Sequence, residues 1–164
     1  MISTPKPSSA VLVLADGRAF YGRAFGAQGT AIGPLHFHTE QTGYPEAITA
    51  SDNSGSVLAF TAPHIGNTGI EDPEAATTAT GVVLRDPSRI ASHWDAKEDF
   101  EPYLKRHNVV TITHVDTRAL IRHAGVHHRE SAGPIYAGIF SGEEAASNLK
   151  DLISLVNETS QKGL

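Results

Sequence analysis

Short apolar runs separated by glycine, proline and polar clusters set the rhythm of this chain. Ala10-Val11-Leu12-Val13-Leu14 reads as a short strand, and Asp16-Gly17 behind it is a strong hairpin dipeptide. Ala19 to Phe25 returns as a second strand. Gly26, Gly29 and Gly33 then read as loop punctuation. Leu35 to Thr39 is a third strand, with Leu35 and Phe37 on one face and His36 and His38 on the other. Thr42-Gly43-Tyr44-Pro45-Glu46 has the marks of a helix start, since proline suits the first helical position and a carboxylate suits the first turn. Ser51 to Gly55 is a polar turn, and Ser56 to Phe60 an apolar run suited to a buried strand.

The second half alternates. Pro63 to Gly69 is a glycine-containing loop, and Gly81 to Arg85 a strand. Asp95 to His107 has helical spacing, with Phe100, Tyr103, Leu104 and His107 on one face. Val109 to Ile112 is a buried strand. Asp116 caps a short helix from Thr117 to Ala124, which Gly125 stops. Ile135 to Phe140 is the last strand, and Glu143 to Val156 an amphipathic helix with Ala145, Leu149, Leu152, Ile153 and Val156 on one face. Strands first, then strands alternating with short helices, predict a mixed α/β domain: antiparallel hairpins, a partly parallel sheet, and helices on one side. The 164 residues suit one domain, here 10–157, after a Pro/Ser-rich disordered tail at 1–9.

Composition narrows the chemistry. The formal net charge is −5 and no basic cluster occurs, which argues against a nucleic-acid surface. Protonating all nine His would take the charge from −5 to +4 (−5 plus 9), so mild acid reverses its sign. There is no Cys, so disulfides, thiolate nucleophiles and thiolate metal sites are excluded. Ser54-Gly55-Ser56 is no nucleophile elbow, and no Gly-x-x-x-x-Gly-Lys phosphate loop exists. No apolar run reaches the roughly 20 residues of a membrane span, and the N-terminus lacks a signal-peptide core. The reading is a cytoplasmic protein with neither nucleic acid nor membrane as partner.

Several segments in register resemble one family. Val11-Leu12-Val13-Leu14-x-Asp16-Gly17-x-x-Phe20-x-Gly22-x-x-Phe25-Gly26 is similar to its first hairpin. Phe37-x-Thr39-x-x-Thr42-Gly43-Tyr44-x-Glu46-x-x-Thr49 and Pro63-His64-Ile65-Gly66-Asn67-x-Gly69 are similar to its two signatures. Arg85-Asp86, Ser92-x-Trp94, Tyr103-Leu104 and Asp116-Thr117-Arg118-Ala119-Leu120 follow in the same order. Together they resemble the N-terminal domain of the small, glutamine-hydrolysing subunit of carbamoyl-phosphate synthetase.

That resemblance implies a three-layer β/β/α domain of the swivelling type. It implies an assembly in which a small subunit releases ammonia from glutamine. A large subunit then uses bicarbonate and ATP to make carbamoyl phosphate for arginine and pyrimidine synthesis. The role implied for this domain is to bind the large subunit and hold a separate glutaminase domain. No cofactor is implied in this chain; ATP and divalent metal belong to the large subunit. The glutaminase chemistry needs a Cys activated by His, which this chain lacks, and residues 158–164 resemble the start of the linker to that domain.

The resemblance also marks site residues. Thr42, Gly43, Tyr44, His64, Asn67 and Arg118 are candidates for the partner interface. Thr42-Gly43-Tyr44 suits a structural turn as well as a contact, and Pro63 to Gly69 suits either a tight turn or an interface. Arg118 pairs locally or with a partner. A family Ser that touches the glutamine site falls at Asp52, within Ala50-Ser51-Asp52-Asn53; a carboxylate offers a negative acceptor where the family has a hydroxyl. No metal site is assigned. His36 and His38, at i and i+2, would need His64 or Glu40 as a third ligand, and His127-His128 read as a solvated loop. The alternative reading is a free-standing, His-rich binding module of the same fold.

Overall fold

The computed structural model describes residues 9–39, 44–61, 64–65, 74, 76–87, 100–130 and 135–162. β1 (Ser9–Leu14) and β2 (Ala19–Gly26) pair antiparallel around the Asp16-Gly17 turn. Gly17 takes a left-handed φ of 98°, and the Arg18 N–H donates to Asp16 Oδ1 at 3.0 Å. Then follow β3 (Thr30–His38), α1 (Tyr44–Thr49), a 3-10 turn at Ser51–Asn53, β4 (Val57–Phe60), β5 (His64–Ile65), β6 (Gly81–Val83) and β7 (Asp86–Pro87). The second half holds α2 (Phe100–Arg106), β8 (Val110–Thr113), α3 (Thr117–Glu130), β9 (Tyr136–Ser141), a 3-10 segment at Gly142–Ala146 and α4 (Leu149–Lys162).

Seven strands close into a barrel in the order β1-β2-β8-β6-β4-β3-β9, and β5 pairs with β7 separately. β3-β4, β4-β6 and β6-β8 are parallel; β1-β2, β1-β9, β2-β8 and β3-β9 are antiparallel. The domain is thus α/β with a mixed sheet, as the alternation of elements predicts.

The apolar strands lack a polar face because both of their faces are covered. In β1, Leu12 and Leu14 point into the barrel, where they meet Val57, Ala59, Val83, Ile112, Ala137 and Ile139. Val11 and Val13 point outward, against Phe140 and against Leu152 and Val156 of α4. β4 divides likewise: Leu58 and Phe60 face outward, in a cluster with Ile48 of α1 and Phe100, Tyr103 and Leu104 of α2. Helical cover is therefore spread over separate stretches of the wall, and the expectation of helices on one side is corrected. α3 contributes Leu120 and Ala124 to the barrel interior.

Other boundaries differ from the pattern. Ser9, assigned to the tail, is already in β1 and pairs with Arg23. Gly33 lies inside β3 rather than in a loop. Gly125 does not stop α3: its φ is not left-handed, and the helix runs on to Glu130, carrying His127 and His128 in helix rather than loop. A mid-helix glycine costs about 0.5–1 kcal/mol relative to alanine, which the remaining turns absorb. The helix expected from Glu143 divides in two. α4 starts afresh at Leu149, capped by Asn148, whose side-chain oxygen accepts from the Lys150 N–H at 3.0 Å. It continues to Lys162, and Ser154, Asn157 and Thr159 satisfy their polar groups within it by donating to carbonyls four residues back.

Candidate functional site

The parallel pair β6-β8 decides where side chains gather. Val83 registers with Ile112, so both strands end at the same edge of the barrel. Beyond that edge the two exits stay joined: the His114 N–H donates to the Arg85 carbonyl at 3.0 Å, and the Leu84 N–H to the Ile112 carbonyl at 2.8 Å. Here an open cleft of about 460 Å³ is lined by Arg85, Asp86, His114, Val115 and Asp116. Two segments far apart in sequence, Arg85-Asp86 and the stretch opening at Asp116, converge on it.

Each lining residue is held by its own local structure. His114 takes a left-handed φ of 65°, which is uncommon without a glycine. Its Nδ1 lies 2.8 Å from Oγ1 of buried Thr113. Asp116 caps α3, as its position predicts, through Oδ1 accepting from the Ala119 N–H at 3.0 Å. Val115 is buried beneath, while Arg85, Asp86, His114 and Asp116 are exposed. The cleft thus offers a guanidinium, an imidazole and two carboxylates, with no hydroxyl or thiol among its lining residues. That inventory suits charge-assisted recognition of another polar surface.

The residues singled out by sequence scatter. Thr42, Gly43 and Asn67 lie outside the described residues, as do Glu40 and Gly66. Tyr44 opens α1 and His64 opens β5. Arg118 is exposed on the outer face of α3, two residues beyond the cleft. Asp52 is exposed in the 3-10 turn, and its neighbour Asn53 is tied inward: Nδ2 donates to the Ala47 carbonyl at 2.8 Å, and Oδ1 lies 3.1 Å from His36 Nδ1. His38 packs edge-on against Phe60 at 5.2 Å between ring centroids. His36 and His38 do share the strand face opposite Leu35, but each serves a contact within the domain. Among the described residues no group of three His, Asp or Glu is placed to hold a metal ion. His114 went unnoticed in the sequence; the only hint was a histidine, a residue tolerant of left-handed backbone, between a strand and a capping aspartate.

A family model described as the carbamoyl-phosphate synthase small chain, CPSase domain, matches residues 12–132. The carbamoyl phosphate synthase small chain of Corynebacterium diphtheriae is 42% identical over 154 residues, covering 91% of this chain and 39% of that protein. Its counterpart in Streptomyces avermitilis is 47% identical over 136 residues, 81% of this chain and 34% of that protein. The Escherichia coli K12 small chain is 47% identical over 117 residues, 70% of this chain and 31% of that protein. The chain thus spans between 31% and 39% of the length of these curated relatives. Among solved structures, an aminopeptidase from Aneurinibacillus sp. strain AM-1 is similar over 85% of this chain and 31% of that one, with TM-score 0.44 and 14% identity, too distant to bear on fold or function. By the match across most of its length and by these identities, the chain belongs to the family of the carbamoyl-phosphate synthase small chain, CPSase domain.

Proposed function

We propose that the chain is the N-terminal scaffold and docking domain of the small subunit of a glutamine-dependent carbamoyl-phosphate synthase, and that it performs no chemistry of its own. The observation that carries this reading is a pairing of two facts. The family match spans 12–132, yet the full sequence holds no Cys to attack glutamine. Glutamine hydrolysis then falls to a separate glutaminase domain, the linker expected at 158–164 being helical in α4 as far as Lys162, and carbamoyl phosphate formation to a large subunit that carries ATP and metal. This domain supplies surfaces to both in the cytoplasm, with no role for nucleic acid or membrane.

The fold supports the role. A barrel filled by Leu12, Leu14, Ile112 and Ile139 is a rigid platform, and loops and helices on a rigid platform keep a docking geometry. In this reading two walls of the barrel serve as the β layers of the family's three-layer β/β/α swivelling architecture, with helix as the third. The cleft at Arg85, Asp86, His114 and Asp116 is a polar part of the docking surface, with Thr42, Gly43, Tyr44, His64, Asn67 and Arg118 as further contacts. Asp52 presents a charged acceptor where the family has a hydroxyl, so no direct glutamine contact is assigned to this turn.

Mixing the chain with the large subunit of the synthase from the same organism is the test. Co-elution as one complex from a size-exclusion column is expected; separate elution at high micromolar concentration contradicts the proposal.

A further inference from the structure

The Asp16-Gly17 turn that joins β1 to β2 carries a chemical liability of its own. A glycine has no side chain to shield its backbone nitrogen, so in an Asp-Gly peptide that nitrogen can attack the aspartate side-chain carbon. With Asp16 protonated, the Gly17 nitrogen bonds to Cγ, and its hydrogen leaves with the carboxyl hydroxyl as water. The five-membered imide then takes water back at either carbonyl. Opening at the main-chain carbonyl leaves Gly17 joined through Cγ, an isoaspartyl link that adds one carbon to the backbone. One water leaves and one returns, so the mass is unchanged and no oxidant or reductant is needed.

Three hydrogen bonds hold the reacting groups apart. The Gly17 N–H donates to the Leu14 carbonyl at 2.9 Å. Asp16 Oδ1 accepts from the Arg18 N–H at 3.0 Å. Asp16 Oδ2 lies 2.5 Å from His123 Nε2; an ionised carboxylate only accepts, so the imidazole donates. The first two bonds close within the hairpin loop and need nothing beyond it. The third comes from α3, 107 residues along the chain, and exists only while that helix is docked. α4 flanks the same turn, with Ile153 3.8 Å from where a β-carbon on Gly17 would stand.

We infer that Asp16-Gly17 is an isomerisation site and that His123 guards it. The imidazole keeps the side-chain carboxylate turned away from the Gly17 nitrogen, and a local opening that lifts α3 from the hairpin releases it. Isomerisation then destroys the carboxylate that both shapes the turn and holds the helix, so a chain that has opened is left less able to close. The inference stands on the fold and is independent of the docking role proposed above.

Storage of the 164-residue chain in warm neutral buffer tests it. Isoaspartate is counted by enzymatic methylation of its free α-carboxylate and located at position 16 by peptide mass spectrometry. Wild type is expected to accumulate it several-fold more slowly than a synthetic peptide spanning Leu14–Ala19. His123→Phe, which keeps a ring and removes the donor, is expected to do so about two- to fivefold faster than wild type, the population factor for a partly exposed pair. His123→Ala serves the same comparison should the phenyl ring disturb the fold, and His123→Gln, which keeps an N–H, should stay closer to wild type. Equal rates in wild type and the donor-free variant, each with a native circular dichroism spectrum, overturn the guard. A wild-type rate that matches the free peptide overturns it too, whatever the variants do.

Discussion

Gly33 in β3 passes so close to Gly55 that a β-carbon at position 33 would stand 2.1 Å from the Gly55 carbonyl oxygen. No side chain fits that gap without moving backbone. Gly33 therefore fixes how β3 meets the turn that precedes β4, and the Asp52 turn is part of the same connection. Gly33→Ala is expected to cost about 1–3 kcal/mol, the usual range for overpacking, read as a lower urea midpoint with an unchanged slope. Gly22→Ala should behave alike, since its β-carbon would meet the Thr113 carbonyl oxygen at 2.2 Å.

Gly125→Ala should go the other way. With open space around the position, the isolated chain gains about 0.5–1 kcal/mol of stability from the change. A thermal melt that shows destabilisation would contradict the placement of Gly125 in an ordinary helical turn.

His123 of α3 reaches the hairpin between β1 and β2, with Nε2 at 2.5 Å from Asp16 Oδ2. The other oxygen of Asp16 accepts from the Arg18 N–H, so one carboxylate shapes the turn and holds the helix against it. The pair is about a third exposed on each side, at 32% and 31%, which keeps its contribution modest. A double-mutant cycle with Asp16→Asn and His123→Ala should give a coupling of about 0.5–1 kcal/mol. Zero coupling would show that the two side chains act independently.

Leu12→Ala tests the barrel interior. The side chain is fully buried among residues of several strands, and removing it should cost about 2–5 kcal/mol in chemical denaturation. Asp52→Ser, on an exposed turn, should leave stability within about 0.5 kcal/mol of wild type. A large loss there would mean the Asp52 carboxylate has a structural duty that its exposure does not suggest.

Much of the framework was legible in the sequence because its signals are local. Asp16-Gly17 dictates a hairpin, Asp116 caps a helix, and the Leu35/His36 alternation assigns strand faces. What was not legible depends on contacts between distant segments. Gly33 looks like loop punctuation until Gly55 is brought against it. Gly125 looks like a stop, because sequence cannot distinguish a left-handed cap from a glycine in mid-helix. Closure of the sheet into a barrel depends on β9 pairing with both β1 and β3, which no local pattern specifies. The cleft is of the same kind: Arg85, Asp86 and Asp116 were visible as parts of separate segments, and only the parallel register of β6 and β8 sets them together.

The division of labour proposed for this chain is tested most directly by incubating the pure 164-residue protein with glutamine and measuring ammonia. Ammonia at the level of a protein-free blank is the predicted result. Turnover that follows protein concentration would contradict it, because a chain without a thiol would then be hydrolysing the amide by itself.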